Sequence, residues 1–292
     1  MPPSFSIVFT SAAPLWVALA LAATVAVLAW RSGSLRADGA VAAFAIGVVA
    51  VRVQWAWGAY LLGWFVLASA LSRVGRARKA TRTREIVLKG DTRDARQVLA
   101  NGGIFAICAL LVLIADAVGS IADARSTPSP LMALATLAAG GALAASGADT
   151  WSTEIGTLLG GNPWSLRRRQ RVTPGTSGAV TWSGTIGGVV GAVLLSGFAW
   201  SVSMIASSMV LPVALGAVVG ATVDTLLGAW VQERRLCSVC QQFTERLAHC
   251  DGMPTLHQGG IPRLDNDLVN VACSLTGAVM AVALAAFGHG RA

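Results

Sequence analysis

The sequence predicts an all-helical bundle embedded in a membrane, with about eight spans. Three observations carry this. Of 292 residues, 54% are hydrophobic and only 12% are charged, against about 25% charged in a soluble domain, so most of the surface does not face water. Apolar segments near the length that crosses the hydrocarbon core, about 17–25 residues of helix, recur through the chain. The stretches 31–38, 73–97, 162–177 and 231–266 hold 19 of the 22 Lys and Arg, leaving Arg52, Arg125 and Arg291 elsewhere. Loops rich in Lys and Arg stay cytoplasmic, so these four stretches mark one face. With two spans between successive basic stretches, both termini lie on the opposite face. Residues 1–292 read as a single transmembrane domain with cytoplasmic loops 73–97, 162–177 and 231–266, in an inner, plasma-type membrane.

The net charge of +8 sits in loops. It reads as an orientation signal and as contact with anionic lipid. No basic helix or aromatic-interleaved motif accompanies it, which argues against nucleic-acid binding. Residues 1–11 carry no Lys or Arg, unlike the basic start of a secretory signal, so 15–30 reads as a retained helix.

The candidate spans are 14–30, 39–53, 55–72, 98–118, 130–148, 179–199, 204–230 and 268–288. The second is short and meets the third at Gln54 and Trp55; a re-entrant element there would reduce the count to seven. Trp16, Trp30, Trp55, Trp57, Trp182, Trp200 and Trp230 fall near span ends, as interfacial anchors do. Gly184–Gly188, Gly187–Gly191 and Gly216–Gly220 have the spacing that lets helix backbones approach closely in lipid. A weak echo links Asp38-Gly-Ala-Val to Ser177-Gly-Ala-Val, as in a duplicated chain. The basic run 73–96 reads mostly as a solvated face against headgroups. At its end Arg96, Gln97 and Asn101 enter a span; Gln97 and Asn101 share a helix face and serve either as glue between helices or as substrate contacts.

Five places concentrate polar chemistry. Asp149, Thr150, Ser152, Thr153 and Glu154 end an otherwise apolar helix. Acids at membrane depth are costly and mark function by default, and a carboxylate pair among hydroxyls suits Mg²⁺ with substrate phosphates; a plain solvated helix end is the alternative. Arg167, Arg168, Arg169 and Arg171 then lead into Thr173-Pro-Gly175-Thr176-Ser177-Gly178 before a helix. Glycines let a backbone approach phosphate, arginine binds it bidentately and helix N-termini attract anions, although the Gly-Lys-Ser/Thr of a Walker loop is absent. Asp224, near Thr222 and Thr225, lies at the same depth as Asp149 and extends the metal reading. The run Asp265-Asn266-Asp267 with Asn270 exceeds what helix capping requires; capping falls to Asp265 or Asn266, and ligand or metal contact to Asp267 and Asn270. Finally, Cys237 and Cys240, with His249, Cys250 and His257 downstream, have part of a zinc pattern. Free thiols are the alternative, and reducing conditions argue against disulfides.

The ordered motifs Arg96-Gln-Val-Leu-Ala-Asn-Gly-Gly103, Ala148-Asp-Thr-Trp-Ser-Thr-Glu-Ile-Gly156, Val172-Thr-Pro-Gly-Thr-Ser-Gly178, Val223-Asp-Thr-Leu-Leu-Gly-Ala229 and Leu264-Asp-Asn-Asp-Leu-Val-Asn270 resemble a family of polytopic membrane proteins. That family includes the plant phytyl-phosphate kinases of vitamin E synthesis. The resemblance covers roughly 33–288; Thr153 and Ser177-Gly178-Ala179 depart from a more Ser- and Gly-rich version without removing a carboxylate. It implies transfer of a phosphoryl group from a nucleoside triphosphate, CTP among the candidates, to a prenyl monophosphate. Joined to the residue reading, Mg²⁺ falls to Asp149, Glu154, Asp224 and Asp267. Residues 173–178 with Arg167, Arg168, Arg169 and Arg171 cradle phosphates, and Arg96, Gln97, Asn101, Thr150, Asn266 and Asn270 orient them. Competing expectations are a nucleotidyltransferase making a CDP-activated lipid, a transporter and a structural scaffold.

Overall fold

The computed structural model describes residues 12–83, 92–121, 130–244 and 246–289. Residues 1–11, Arg125 and Arg291, named above, and residues 84–91 of the basic run lie outside them. Eight long helices follow the eight expected spans: α1 (Leu15–Arg31), α2 (Ala37–Val53), α3 (Trp55–Arg73), α5 (Ala95–Ile121), α6 (Pro130–Leu159), α7 (Trp182–Ser201), α8 (Val210–Trp230) and α9 (Asn266–His289), with a short α4 (Arg76–Thr83) after α3. Six stretches, from α3 and α5 through α9, have the length and apolarity to cross a membrane unaided, while α1 is a shorter apolar helix. Each helix satisfies its own backbone, the condition lipid imposes. The chain is a polytopic helical membrane bundle.

α6 is the axis. It has 30 residues, about 45 Å at the usual rise, and so outruns a hydrocarbon core of about 30 Å. The sequence reading stops this span at 148; the helix continues through Asp149 and Glu154 because nothing breaks it before Gly160. Every residue of 139–148 is buried, and α5, α7, α8 and α9 all pack on this helix. The run is built of Ala, Gly, Ser and Leu because neighbours approach from all sides. Gly141 and Gly277 face each other so closely that a Cβ on Gly141 would stand 2.4 Å from the Gly277 carbonyl oxygen. Gly184, Gly187, Gly188 and Gly191 seat α7 on α6, and Gly216 and Gly220 seat α8 on α9. The expected small-residue seams are therefore real contacts, close enough for dispersion to act without a hydrophobic drive.

The four basic loops meet at one end. Leu35 bridges Arg93, Arg82 donates to the carbonyls of Thr157 and Gly161, Arg96 pairs with Asp265 at 2.9 Å, and the Arg168 guanidinium lies 3.9 Å over the Phe243 ring. Arg52, at the other end, donates to the carbonyl of Ala13. Among the described residues of the run 73–96, 73–78, 80, 81 and 96 are exposed, as a solvated face would be, while a few of its basic side chains are tied to the bundle. Lys79 is buried, Arg73 donates to Ser34 at 2.6 Å, and Arg93 donates to Ser69 at 3.1 Å. Lys79 and Arg82 also bring positive charge to the C-terminal end of α6, where the helix dipole favours it.

Other departures have local causes. Trp57 is buried against Phe105, ring centroids 5.2 Å apart, and is a core residue; Trp16, Trp30, Trp182, Trp200 and Trp230 remain exposed near helix ends. The loops carry small antiparallel sheets that helical periodicity does not reveal. One has β1 (Trp164–Ser165) between β2 (Gln170–Arg171) and β3 (Ala179–Val180); the other has the order β5-β4-β7-β6, formed by β4 (Arg234–Cys237), β5 (Phe243–Thr244), β6 (Ala248–His249) and β7 (Met253–Gly259). Because 179–180 is strand, α7 starts at Trp182, where the Thr181 hydroxyl accepts from Gly184 N–H. The sequence echo does not extend to structure: Asp38 lies in the first turn of α2, whereas Ser177 precedes β3.

Candidate functional site

A cavity of about 510 Å³ opens at the basic end, between α6, α7, α8 and the loops before α7 and α9. Helical phase selects what enters it. On α6, Asp149, Ser152, Thr153 and Gly156 line it. On α8, Asp224 does, and its carboxyl lies close enough to that of Asp149 for the two to interact. Two neighbouring carboxylates repel unless a proton or a cation lies between them. Asp267, in the first turn of α9, is buried at the rim, with Arg96 Nε 3.7 Å from its Oδ2. Asp265 caps α9, accepting from Leu268 N–H at 3.2 Å.

The Gly/Thr/Ser loop forms the opposite rim. Gly175, Thr176, Ser177 and Gly178 all line the cavity. The Thr176 N–H and hydroxyl both return to the Thr173 carbonyl, at 3.3 and 2.8 Å. Gly175 and Gly178 have φ of 92° and 68°, a region that glycine enters without penalty. A Cβ on Gly178 would stand 2.2 Å from the Ala229 backbone, so only glycine lets this loop rest on the end of α8. The first turns of α7 and α9 border the same space through Thr181, Thr185, Asn266 and Asp267, and helix starts favour anions. Part of the wall is apolar: Val189 of α7 and Leu226 of α8 line the cavity, and both are exposed.

A family model described as integral membrane protein DUF92 matches residues 20–278. The chain belongs to the DUF92 family. Protein PGR of Arabidopsis thaliana is 29% identical over 96% of this chain and 97% of its own length. An uncharacterised membrane protein of Methanocaldococcus jannaschii is 27% identical over 75% of this chain and 84% of its own. Another, from Synechocystis, is 25% identical over 66% and 70%. No solved structure matches.

Several residues expected at the site of this DUF92 protein are engaged elsewhere. Glu154 does not line the cavity; it accepts from Ser72 Oγ at 2.6 Å and is ion-paired with the buried Lys79. The placement corrects its grouping with Asp149. Thr150 returns its hydroxyl to the Ser146 carbonyl at 2.9 Å. Asn101 accepts from Ser146 Oγ at 2.7 Å and donates to the Gln97 carbonyl, which makes it glue between α5 and α6. Gln97 lines the cavity but also forms a reciprocal cap with Asp94, each backbone N–H bonded to the other side chain. Arg171 donates to the Asn162 carbonyl; it, Thr173, Arg96 and Asn270 are not among the lining residues.

Sequence reasoning missed Thr181, Gln232, Glu233 and Arg235, which line the cavity from the capping turn of α7 and the chain leaving α8. Burial acts to raise the Glu233 carboxyl, but the Arg263 N–H, Arg235 and His257 outweigh it and hold it below its ordinary value. The available signal was a Glu-Arg-Arg run directly after a span, which resembles any positive-inside flank.

Oxygen donors on two adjoining carboxyls fit Mg²⁺, which takes one or two carboxylates plus substrate phosphates. Among the described residues, the one group of three or more candidate ligands with all donor atoms within 4.8 Å of one another is Cys237, Cys240, His249 and Cys250. Asp267 therefore stands apart from the Asp149–Asp224 pair.

Proposed function

We propose that this protein is a membrane-embedded prenyl-phosphate kinase, moving a phosphoryl group from a nucleoside triphosphate, CTP or another, to a polyprenyl or phytyl monophosphate. The observation that carries the reading is a single cavity that combines an acid pair, a glycine-rich rim at a helix start and exposed apolar residues, Val189 and Leu226. A lipid phosphate needs such a place. Its hydrocarbon tail lies along Val189 and Leu226, and its head meets the polar rim.

Asp149 and Asp224 would hold Mg²⁺, which when bound neutralises phosphate charge. The backbone of 175–178 and the first turn of α7 hold phosphate oxygens, and Arg235, fixed by Thr255 and Glu233, presents its charge at the mouth. The acceptor oxygen is already ionised, so no side chain has to remove a proton. It bonds to the γ-phosphorus as the bond from that phosphorus to the β–γ bridging oxygen breaks, and a nucleoside diphosphate leaves. Positioning and charge neutralisation supply most of the catalysis in this chemistry. By the Lys/Arg bias, the basic end faces the cytoplasm across a plasma-type membrane, within reach of nucleotide.

The test is purified full-length protein incubated with prenyl monophosphates and labelled CTP or ATP. A Mg²⁺-dependent prenyl diphosphate is expected. A CMP-containing lipid with released pyrophosphate would assign nucleotidyl transfer instead, and absence of any product across chain lengths and nucleotides would overturn the proposal.

A further inference from the structure

We infer that Cys237, Cys240, His249 and Cys250 form a tetrahedral zinc site that locks the β4–β7 sheet against the cavity. Nothing in the proposed phosphoryl transfer uses these four residues, and the inference stands without it. Their positions are those of two facing knuckles. Cys237 ends β4 and Cys240 lies in the turn to β5; His249 ends β6 and Cys250 begins the turn to β7. In the first knuckle Cys237 N–H donates to the Gln242 carbonyl at 2.9 Å and Gln241 N–H donates to the Cys237 carbonyl at 3.0 Å.

The distances match the metal. Zinc bonds of about 2.0–2.1 Å to nitrogen and about 2.3 Å to sulfur, at tetrahedral angles, place N and S about 3.6 Å apart. His249 Nδ1 stands 3.5 Å from Cys240 Sγ and 3.3 Å from Cys250 Sγ, and all four donor atoms lie within 4.8 Å of one another. One imidazole nitrogen thus faces two sulfurs at once, which a single N–H···S bond does not require and a shared ion does. Three sulfurs and one nitrogen make a closed structural set. Cys250 and Asp251 both have positive φ, 38° and 60°, conformations that persist in non-glycine residues where the surroundings impose them.

The position gives the site its role. β4 runs from the cavity-lining Glu233 and Arg235 to Cys237, and Phe243, next to the first knuckle, lies under Arg168. A bound ion ties the turns of both hairpins, and through them Arg235 at the mouth and the loop 162–177. Metal binding would contribute to the order of a segment too short to build its own core.

The experiment measures metal content and thiol reactivity in purified full-length protein and in Cys240→Ser and His249→Ala variants. About one zinc per chain is expected, held by this set, lost or much reduced in both variants, with faster proteolysis within 231–266 on chelation. Co²⁺ exchanged into the wild-type protein should give thiolate charge-transfer and intense tetrahedral d–d bands, a readout that stands even if a variant fails to fold. Freely titrating thiols with no zinc, a disulfide by intact mass, or zinc retained in Cys240→Ser at wild-type stoichiometry would each overturn the site.

Discussion

Replacing Lys79 tests whether Glu154 is structural. The ammonium donates to the carbonyls of Leu71 at 2.9 Å and Ser72 at 2.8 Å and to the Glu154 carboxylate. All three of its N–H bonds are used. Its side chain is 9% exposed and that of Glu154 20%. Lys79→Met leaves an acid inside the bundle with only the Ser72 hydroxyl, and takes a donor from two carbonyls at the end of α3, of which that of Leu71 keeps the Val74 N–H. Removing one partner of a buried pair costs about 3–5 kcal/mol; the partial exposure of Glu154 puts this pair near the lower end, about 3 kcal/mol. Glu154→Gln should destabilise by a similar amount, and the Lys79→Met/Glu154→Gln double variant by much less than the sum, because no lone charge is left. Equilibrium unfolding of the four proteins in mixed micelles measures the coupling. Turnover per folded molecule should survive in Glu154→Gln. Additive stability effects, or a stable Glu154→Gln protein without Mg²⁺-dependent turnover, would return Glu154 to the metal set and refute this account of its role.

Asp149→Asn and Asp224→Asn should abolish Mg²⁺-dependent product formation while thermal stability holds or rises, because each variant removes a close carboxylate repulsion; thermal shift and the kinase assay check both. Gly178→Ala should raise the nucleotide KM in steady-state assays, since a left-handed alanine costs about 1–2 kcal/mol and its Cβ meets the Ala229 backbone at 2.2 Å. Gly277→Ala should sharply lower the melting temperature, its Cβ standing 2.4 Å from that of Ala145, whereas Gly103→Ala, with nothing within 4 Å, should not. Glu233 is held below its ordinary value by its partners; its contribution is therefore complete above the ordinary glutamate range, about pH 4.3, and is lost as pH falls through the lowered folded value. Proteolysis within 231–266 should accelerate on that acid limb, and the acceleration should be absent in Glu233→Gln.

The sequence alone determined that this chain spans a membrane about eight times and gathers its basic loops at one end. Both follow from composition: lipid obliges each span to close its own hydrogen bonds and to run for the thickness of the hydrocarbon, so length and polarity suffice. The family and most of the cavity rim were legible for a related reason, since Asp149, Asp224, Asp267 and the loop 175–178 stand out as polar chemistry at apolar helix ends. Tertiary structure decided which of those groups meet. Asp149 and Glu154 are neighbours on paper, but five residues is about 140° around a helix at 3.6 residues per turn. One acid turns to α8 and the cavity, the other to Lys79. Asn101 and Thr150 were taken up by contacts with Ser146, while Gln232, Glu233 and Arg235 entered the cavity because the hairpin after α8 folds back toward α7. Spacing in the chain sets the angle of a side chain about its own helix; only packing sets what stands opposite.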